Sequence, residues 1–221
     1  MRVTLARRLV AEGLGTALLV AAVIGSGIMA QRLAGPDAAT ALLANTVATG
    51  AALVALILTF GPVSGAHFNP VVTACLAASG EVSRRDAPIY MAAQILGGLA
   101  GAVLANAMFD LGLITFAATA RHGSAQLLSE AVATFGLVGV ITSTSRRRPS
   151  VTPFAVAAYI VAAYWFTAST SFANPAVTIA RAASDTFAGI RPEDVPGFIV
   201  AQAVGGGAAA VVFGWLTPRA A

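Results

Sequence analysis

An Asn-Pro pair occurs twice in this chain in nearly the same setting, as "SGAHFNPVVTACLAAS" from Ser64 to Ser79 and as "TSFANPAVTIARAAS" from Thr170 to Ser184. Each copy places a helix-stopping proline and a polar amide within strongly apolar surroundings. Those surroundings fix the class of fold, because 57% hydrophobic and 10% charged residues match a chain whose solvent is lipid. Six apolar stretches can be drawn, roughly residues 7–31, 40–60, 87–109, 125–145, 152–170 and 197–217, each near the ~20 residues a helix needs to cross ~30 Å of hydrocarbon. The expectation is an all-α membrane protein forming one domain over residues 1–221, with the lipid bilayer as its first partner. The opening stretch, "AEGLGTALLVAAVIGSGIMA", is too long and too glycine-patterned for a removable signal peptide and reads as the first span.

Charge placement sets the expected orientation. The thirteen basic residues are all arginine. Six spans put Arg2, Arg7, Arg8, Arg84, Arg85, Arg146, Arg147, Arg148 and Arg219 on one side, against Arg32, Arg121, Arg181 and Arg191 on the other. The positive-inside rule then predicts a multi-pass protein of the bacterial inner (plasma) membrane with both termini cytoplasmic. Between two apolar spans, "SRRRPS" at 145–150 is a topology signal rather than a nucleic-acid patch, and no nucleic-acid partner is expected. The single Cys75 excludes an internal disulfide and reads as a packing residue.

The repetition extends beyond the two motifs. "AEGLGT" (11–16) corresponds to "SEAVAT" (129–134), and "AQILGGLAGA" (93–102) to "AQAVGGGAAA" (201–210), so each half reads as a span with Glu, a span, an Asn-Pro segment and a span with Gln-x-x-Gly-Gly. Halves of three crossings each enter the membrane from opposite sides, which makes the repeats, approximately 1–110 and 125–221, inverted. The residues after Asn69 and Asn174 run for about ten positions, or about 15 Å of helix, half the membrane. Proline suits the first helical position and asparagine the cap before it, so Asn69-Pro70-Val71 and Asn174-Pro175-Ala176 each start a half-helix. Two such half-helices dip in from opposite faces and meet near the midplane, where non-helical backbone is tolerated only around a watery cavity. Ordinary caps at the membrane surface would explain one copy, but not two in inverted halves.

With these motifs the chain resembles the aquaporin or major intrinsic protein family over nearly its whole length. "SGAHFNPVVT", "FANPAVT", the Glu and Gln repeats and the count of six spans plus two re-entrant half-helices carry the resemblance. It implies a homotetramer with one pore per protomer, passing small neutral solutes down their gradient. It also implies that Glu12 and Glu130 hold the buried loop backbones, with Gln94 and Gln202 beside them. Independently, two helix N-termini aimed at one spot, each equivalent to about +0.5 charge, oppose cations, and the Asn69 and Asn174 amides offer donors to a passing oxygen. His67 lacks the partners a metal site needs and is expected to brace the loop or line the pore. No metal or cofactor is expected, and no nucleophile–base pair suggests an enzyme.

The chain departs from the family pattern modestly at Val71, where the first motif reads Asn-Pro-Val, and more sharply in the second motif. Where most members have arginine directly after the second Asn-Pro-Ala, this chain has Val177, and Arg181 follows one turn later, where a mouth or salt-bridge role is expected and its removal should leave the ranking of solutes unchanged. The other filter positions, counted by the family's spacing, are Thr49, Ser171 and either Ala162 or Tyr164, with Tyr164 preferred. Such a filter carries no fixed charge and suits glycerol, arsenous, antimonous or boric acid. The combination of Val177 with "YWFTASTSFANPAVTIAR" resembles bacterial aquaporins associated with arsenic-resistance operons, which makes metalloids or methylated arsenicals the leading permeants and a water or glycerol facilitator the alternative. An ion-coupled secondary transporter is disfavoured, since no Asp or Glu lies near either motif.

Overall fold

The computed structural model describes residues 3–218; Arg2 and Arg219 lie outside the described residues. Among the described residues the regular structure is entirely helical: α1 (Leu5–Ala34), α2 (Ala38–Ser64), α3 (Pro70–Ala78), α4 (Ala87–Met108), α5 (Ser124–Arg147), α6 (Thr152–Phe166), α7 (Pro175–Arg181) and α8 (Val195–Leu216). Six of these are long and apolar enough to cross a membrane, α6 and α8 together with the short 3-10 turns that precede them. With α3 and α7 as half-helices between them, the fold is six transmembrane helices plus two re-entrant segments. The six crossings return the chain to the face where it began, called the terminal face below, with the opposite side as the far face.

Local chemistry accounts for where the elements start and stop. Asp37 caps α2 by accepting from the backbone N–H groups of Ala39 (3.0 Å) and Thr40 (3.2 Å). Asn69 and Asn174 cap the half-helices, each followed by the proline whose missing N–H is no loss at a first position. The half-helices have nine and seven residues, fewer than the ten expected from sequence. The second stops early because the loop after α4 recruits the next carbonyls: Thr115 N–H donates to Ala183 O and Ala117 N–H to Ala182 O. Similarly α6 ends at Phe166 rather than near 170, and Thr167 turns its hydroxyl back onto Ala163 O.

The helices pack where side chains vanish. A Cβ added to Gly97 or Gly101 of α4 would lie 2.2 Å from the carbonyl oxygen of Gly13 or Ala17 in α1, and one added to Gly205 of α8 would lie 2.1 Å from Ala131 O in α5. Close backbone approach of this kind is how small residues drive association in lipid, which contributes no hydrophobic force between helices. On the terminal face Arg8 pairs with Asp86 and Arg146 with Glu81, each at 3.0 Å. Such partly exposed pairs are worth about 1 kcal/mol or less.

Candidate functional site

Two buried carboxylates organise the centre of the molecule. Glu12 on α1 is fully buried and accepts four hydrogen bonds: Oε1 from Ser64 Oγ (2.6 Å) and His67 N–H (3.0 Å), Oε2 from Phe68 N–H (2.8 Å) and Gln94 Nε2 (2.8 Å). Glu130 on α5 does the same in the other half: Oε1 from Ser169 Oγ (2.6 Å) and Phe172 N–H (2.8 Å), Oε2 from Ala173 N–H (2.8 Å) and Gln202 Nε2 (2.6 Å). Gln94 and Gln202 each reach on to a half-helix threonine, Thr73 and Thr178, both at 2.9 Å. The loops so held are strained. Ala66 and Phe68 before the first motif, and Thr170, Ser171 and Ala173 before the second, all adopt positive φ between 47° and 60°. Each such residue costs about 1–2 kcal/mol and persists only where its surroundings hold it.

Those bonds deliver the two asparagines tip to tip. Asn69 Oδ1 accepts from Val71 N–H (3.0 Å), and Asn174 Oδ1 from Ala176 N–H (3.0 Å) and Val177 N–H (3.3 Å). Their amide nitrogens cross over: Asn69 Nδ2 donates to Ala173 O and Asn174 Nδ2 to Phe68 O, both at 2.7 Å. Sequence reasoning expected both amides to offer donors to a passing oxygen, without the crossing bonds. Each commits one N–H to the opposing loop, which leaves a second N–H on each amide.

That space is a cavity of about 610 Å³, running from Arg8, Ser83 and Asp86 on the terminal face past His67, Asn69 and Asn174 to Thr49, Tyr164, Ser171 and Arg181. The half-helices present matched stripes to it, Asn69, Val72 and Leu76 on α3 and Asn174, Val177 and Arg181 on α7. Pro70, Val71, Pro175 and Ala176 are buried but turned away. Val71, larger than its counterpart Ala176, fits because a Cβ on Gly206 would lie only 2.3 Å from Val71 Cγ1. His67 lines the cavity, and its Nδ1 lies 3.1 Å from Thr73 Oγ1.

The far end of the cavity is lined mostly by uncharged side chains. The Thr49 and Tyr164 hydroxyls are 3.3 Å apart, Ser171 Oγ is buried without a partner, and Val177 is buried beside them. Of the two residues considered on α6, Tyr164 faces the cavity and Ala162 the exterior. Two positions on a helix are about 200° apart, so both cannot share a face.

Arg181, expected at the outer mouth or in a salt bridge, lies in the cavity wall. It makes none of the ion pairs found among the described residues and is only 2% exposed. Its Nε donates to Ala188 O, and its guanidinium carbon lies 3.4 Å from the centre of the Phe172 ring. The reason is helical periodicity: Arg181 falls seven residues after Asn174, on the same stripe, so the side chain joins the cavity wall.

Two residues here were not anticipated. Phe172 carries both cations, Arg181 and, at 5.0 Å, Arg121 from the loop after α4, and Phe198 packs edge-on against the same ring at 5.2 Å. Arg121 is pinned to the segments on either side of α7: its Nε donates to Gly189 O (2.8 Å) and its Nη1 to Ser169 O (3.3 Å). Burial pushes its guanidinium below the ordinary value. A loop arginine and a phenylalanine two residues before an Asn-Pro pair carry no sign in sequence that they will meet.

Comparison with known proteins follows the same lines. A model of the major intrinsic protein family matches residues 1–168. The chain is 55% identical over 212 residues, 96% of its length and 91% of the relative's, to aquaglyceroporin AqpS of Rhizobium meliloti (strain 1021). It is 38% identical over 178 residues, 74% of its length and 63% of the relative's, to aquaporin A of Dictyostelium discoideum. Among solved structures, the X-ray structure of the aquaglyceroporin from Plasmodium falciparum superposes with a TM-score of 0.66 at 21% identity, covering 95% of this chain and 94% of that one, a likeness that bears on the fold alone.

Proposed function

The chain belongs to the major intrinsic protein family, whose members are membrane channels rather than enzymes, and from that premise we propose that it is a passive pore for small neutral polyhydroxylated solutes: glycerol, and metalloid acids or methylated arsenicals of similar size. The observation that carries this reading is the composition of the far end of the cavity. Thr49, Tyr164 and Ser171 bring three hydroxyls to the cavity wall, and the uncharged Val177 lines it with them. A solute with several hydroxyls exchanges water for these groups and for the second N–H of each asparagine at little net cost, while a cation meets two half-helix N-termini. The printed name of the relative at 55% identity, an aquaglyceroporin, supports glycerol.

In this proposal Glu12, Glu130, Gln94 and Gln202 support the pore, His67 braces its terminal-face side, and the chain is one domain of two inverted halves, 1–110 and 125–221. The one-to-one correspondence of the two carboxylate networks supports that division. The protein sits in the bacterial inner membrane as a homotetramer with both termini cytoplasmic, an orientation supported by Arg7, Arg8, Arg84, Arg85, Arg146, Arg147 and Arg148 on the terminal face.

The test is a proteoliposome panel comparing water, glycerol, arsenite and methylated arsenicals, with proton and sodium gradients collapsed. Glycerol and at least one arsenical are expected to follow their own gradients faster than in empty vesicles. Water flux alone would leave a plain water facilitator, and dependence on an imposed ion gradient would mean coupled transport.

A further inference from the structure

The guanidinium of Arg181 is buried where the fold does not require a charge. Leu76 is its counterpart on α3: both occupy the third position of a cavity-facing stripe, after Asn69 and Val72 in one half and after Asn174 and Val177 in the other. Leu76 fills the position with an apolar side chain, so the half-helix geometry itself is satisfied without arginine. A buried cation lacking an acidic partner is costly, and inside a membrane it marks a functional position.

The orientation of Arg181 is specific. Nε is taken by Ala188 O and one face of the group is covered by the Phe172 ring. No hydrogen bond falls to Nη1 or Nη2 among the described residues, and neither is sealed from the cavity the residue lines. The Phe172 ring is itself fixed, by its backbone bond to Glu130 and by Phe198, and Arg121 approaches it from the loop after α4.

We propose that Arg181 is the charge-selecting residue of the pore, presenting two free N–H-bearing nitrogens one helical turn beyond Val177, with Phe172 and Arg121 as its positioning residues. The constriction then has two levels: an uncharged one of Thr49, Tyr164, Ser171 and Val177 that admits bulky hydroxylated solutes, and a cationic one farther out that rejects positive charge without narrowing the first. A family member with arginine directly after Asn-Pro-Ala meets both demands at a single level; this chain separates them by about 6 Å of helix. This inference rests on the reading of the chain as a neutral-solute pore.

The test is the ratio of methylammonium to glycerol permeability in vesicles, measured per folded channel. Arg181→Met keeps the length of the side chain and removes the charge, and the ratio is expected to rise at least about tenfold, a small part of the repulsion between like charges in a constriction. Arg181→Lys restores the charge but not the fork, and should return the ratio to near the wild-type value. Phe172→Leu, which leaves the arginine but removes its platform, should shift the ratio in the same direction by less, and it decides the question together with Arg181→Lys should Arg181→Met fail to assemble. Unchanged ratios in folded variants, including a proportional loss of every flux, overturn the proposal and leave Arg181 a structural residue. If wild-type vesicles pass no glycerol, the neutral-solute reading itself has failed; if they do and the ratio is fixed, only the role of Arg181 has.

Discussion

Replacing Glu130 by glutamine changes one atom of the side chain and should disable half of the pore. The carboxylate accepts two donors on each oxygen, Ser169 Oγ and Phe172 N–H on one, Ala173 N–H and Gln202 Nε2 on the other. A glutamine amide has a single acceptor oxygen, so whichever way it turns its NH2 group confronts two donors. Two buried bonds are lost, at about 1–3 kcal/mol each, or about 2–6 kcal/mol in all. That loss meets a loop already under load: Thr170, Ser171 and Ala173 at positive φ store about 1–2 kcal/mol apiece. The two quantities are of the same size, so the loop is free to relax, and Ala173 O and Asn174 move with it. Thermal unfolding in a fixed detergent should shift down by about 4 °C or more. Glycerol flux per folded channel should fall, and Glu12→Gln should repeat the result through His67 and Phe68. A Glu130→Gln protein with wild-type midpoint and wild-type flux would show that the carboxylate does not hold the loop.

Three further outcomes are expected. Asn69→Leu or Asn174→Leu removes a cap worth about 1 kcal/mol together with a crossing bond to the opposite loop, so both stability and flux should drop, and full conductance in both variants would remove the amides from the solute path. Val177→Arg should cut the ratio of glycerol to water permeability about tenfold by adding a long cation to the uncharged level, and an unchanged ratio would place that level elsewhere. Gly205→Ala pushes a methyl group against Ala131 O, and the overpacking, about 1–3 kcal/mol, should lower the midpoint of the purified protein; an unaffected midpoint would mean that α5 and α8 can separate without loss.

Much of this architecture follows from local and repetitive features of the chain. Apolar runs of membrane length give the six spans and Asn-Pro gives the caps of two half-helices, because each signal depends on a residue's chemistry and its spacing along one segment, while the matched Glu and Gln positions are tied to the loops by family resemblance. What tertiary structure alone decides are the relations between segments distant in sequence. The asparagine amides cross to each other's loops because the strained backbones of both halves turn Phe68 O and Ala173 O toward the midplane. Tyr164 rather than Ala162 joins Thr49 because the rotation of α6 is set by the neighbours against which it packs. Arg181, which spacing alone placed at the mouth or in a salt bridge, is buried because the Phe172 ring, held in turn by Phe198, and Ala188 O come from either side of α7 to receive it. A guanidinium stays inside a membrane protein where groups brought together by the fold cover its face and take at least one of its donors, and that meeting leaves no mark on the residues adjacent to it in sequence.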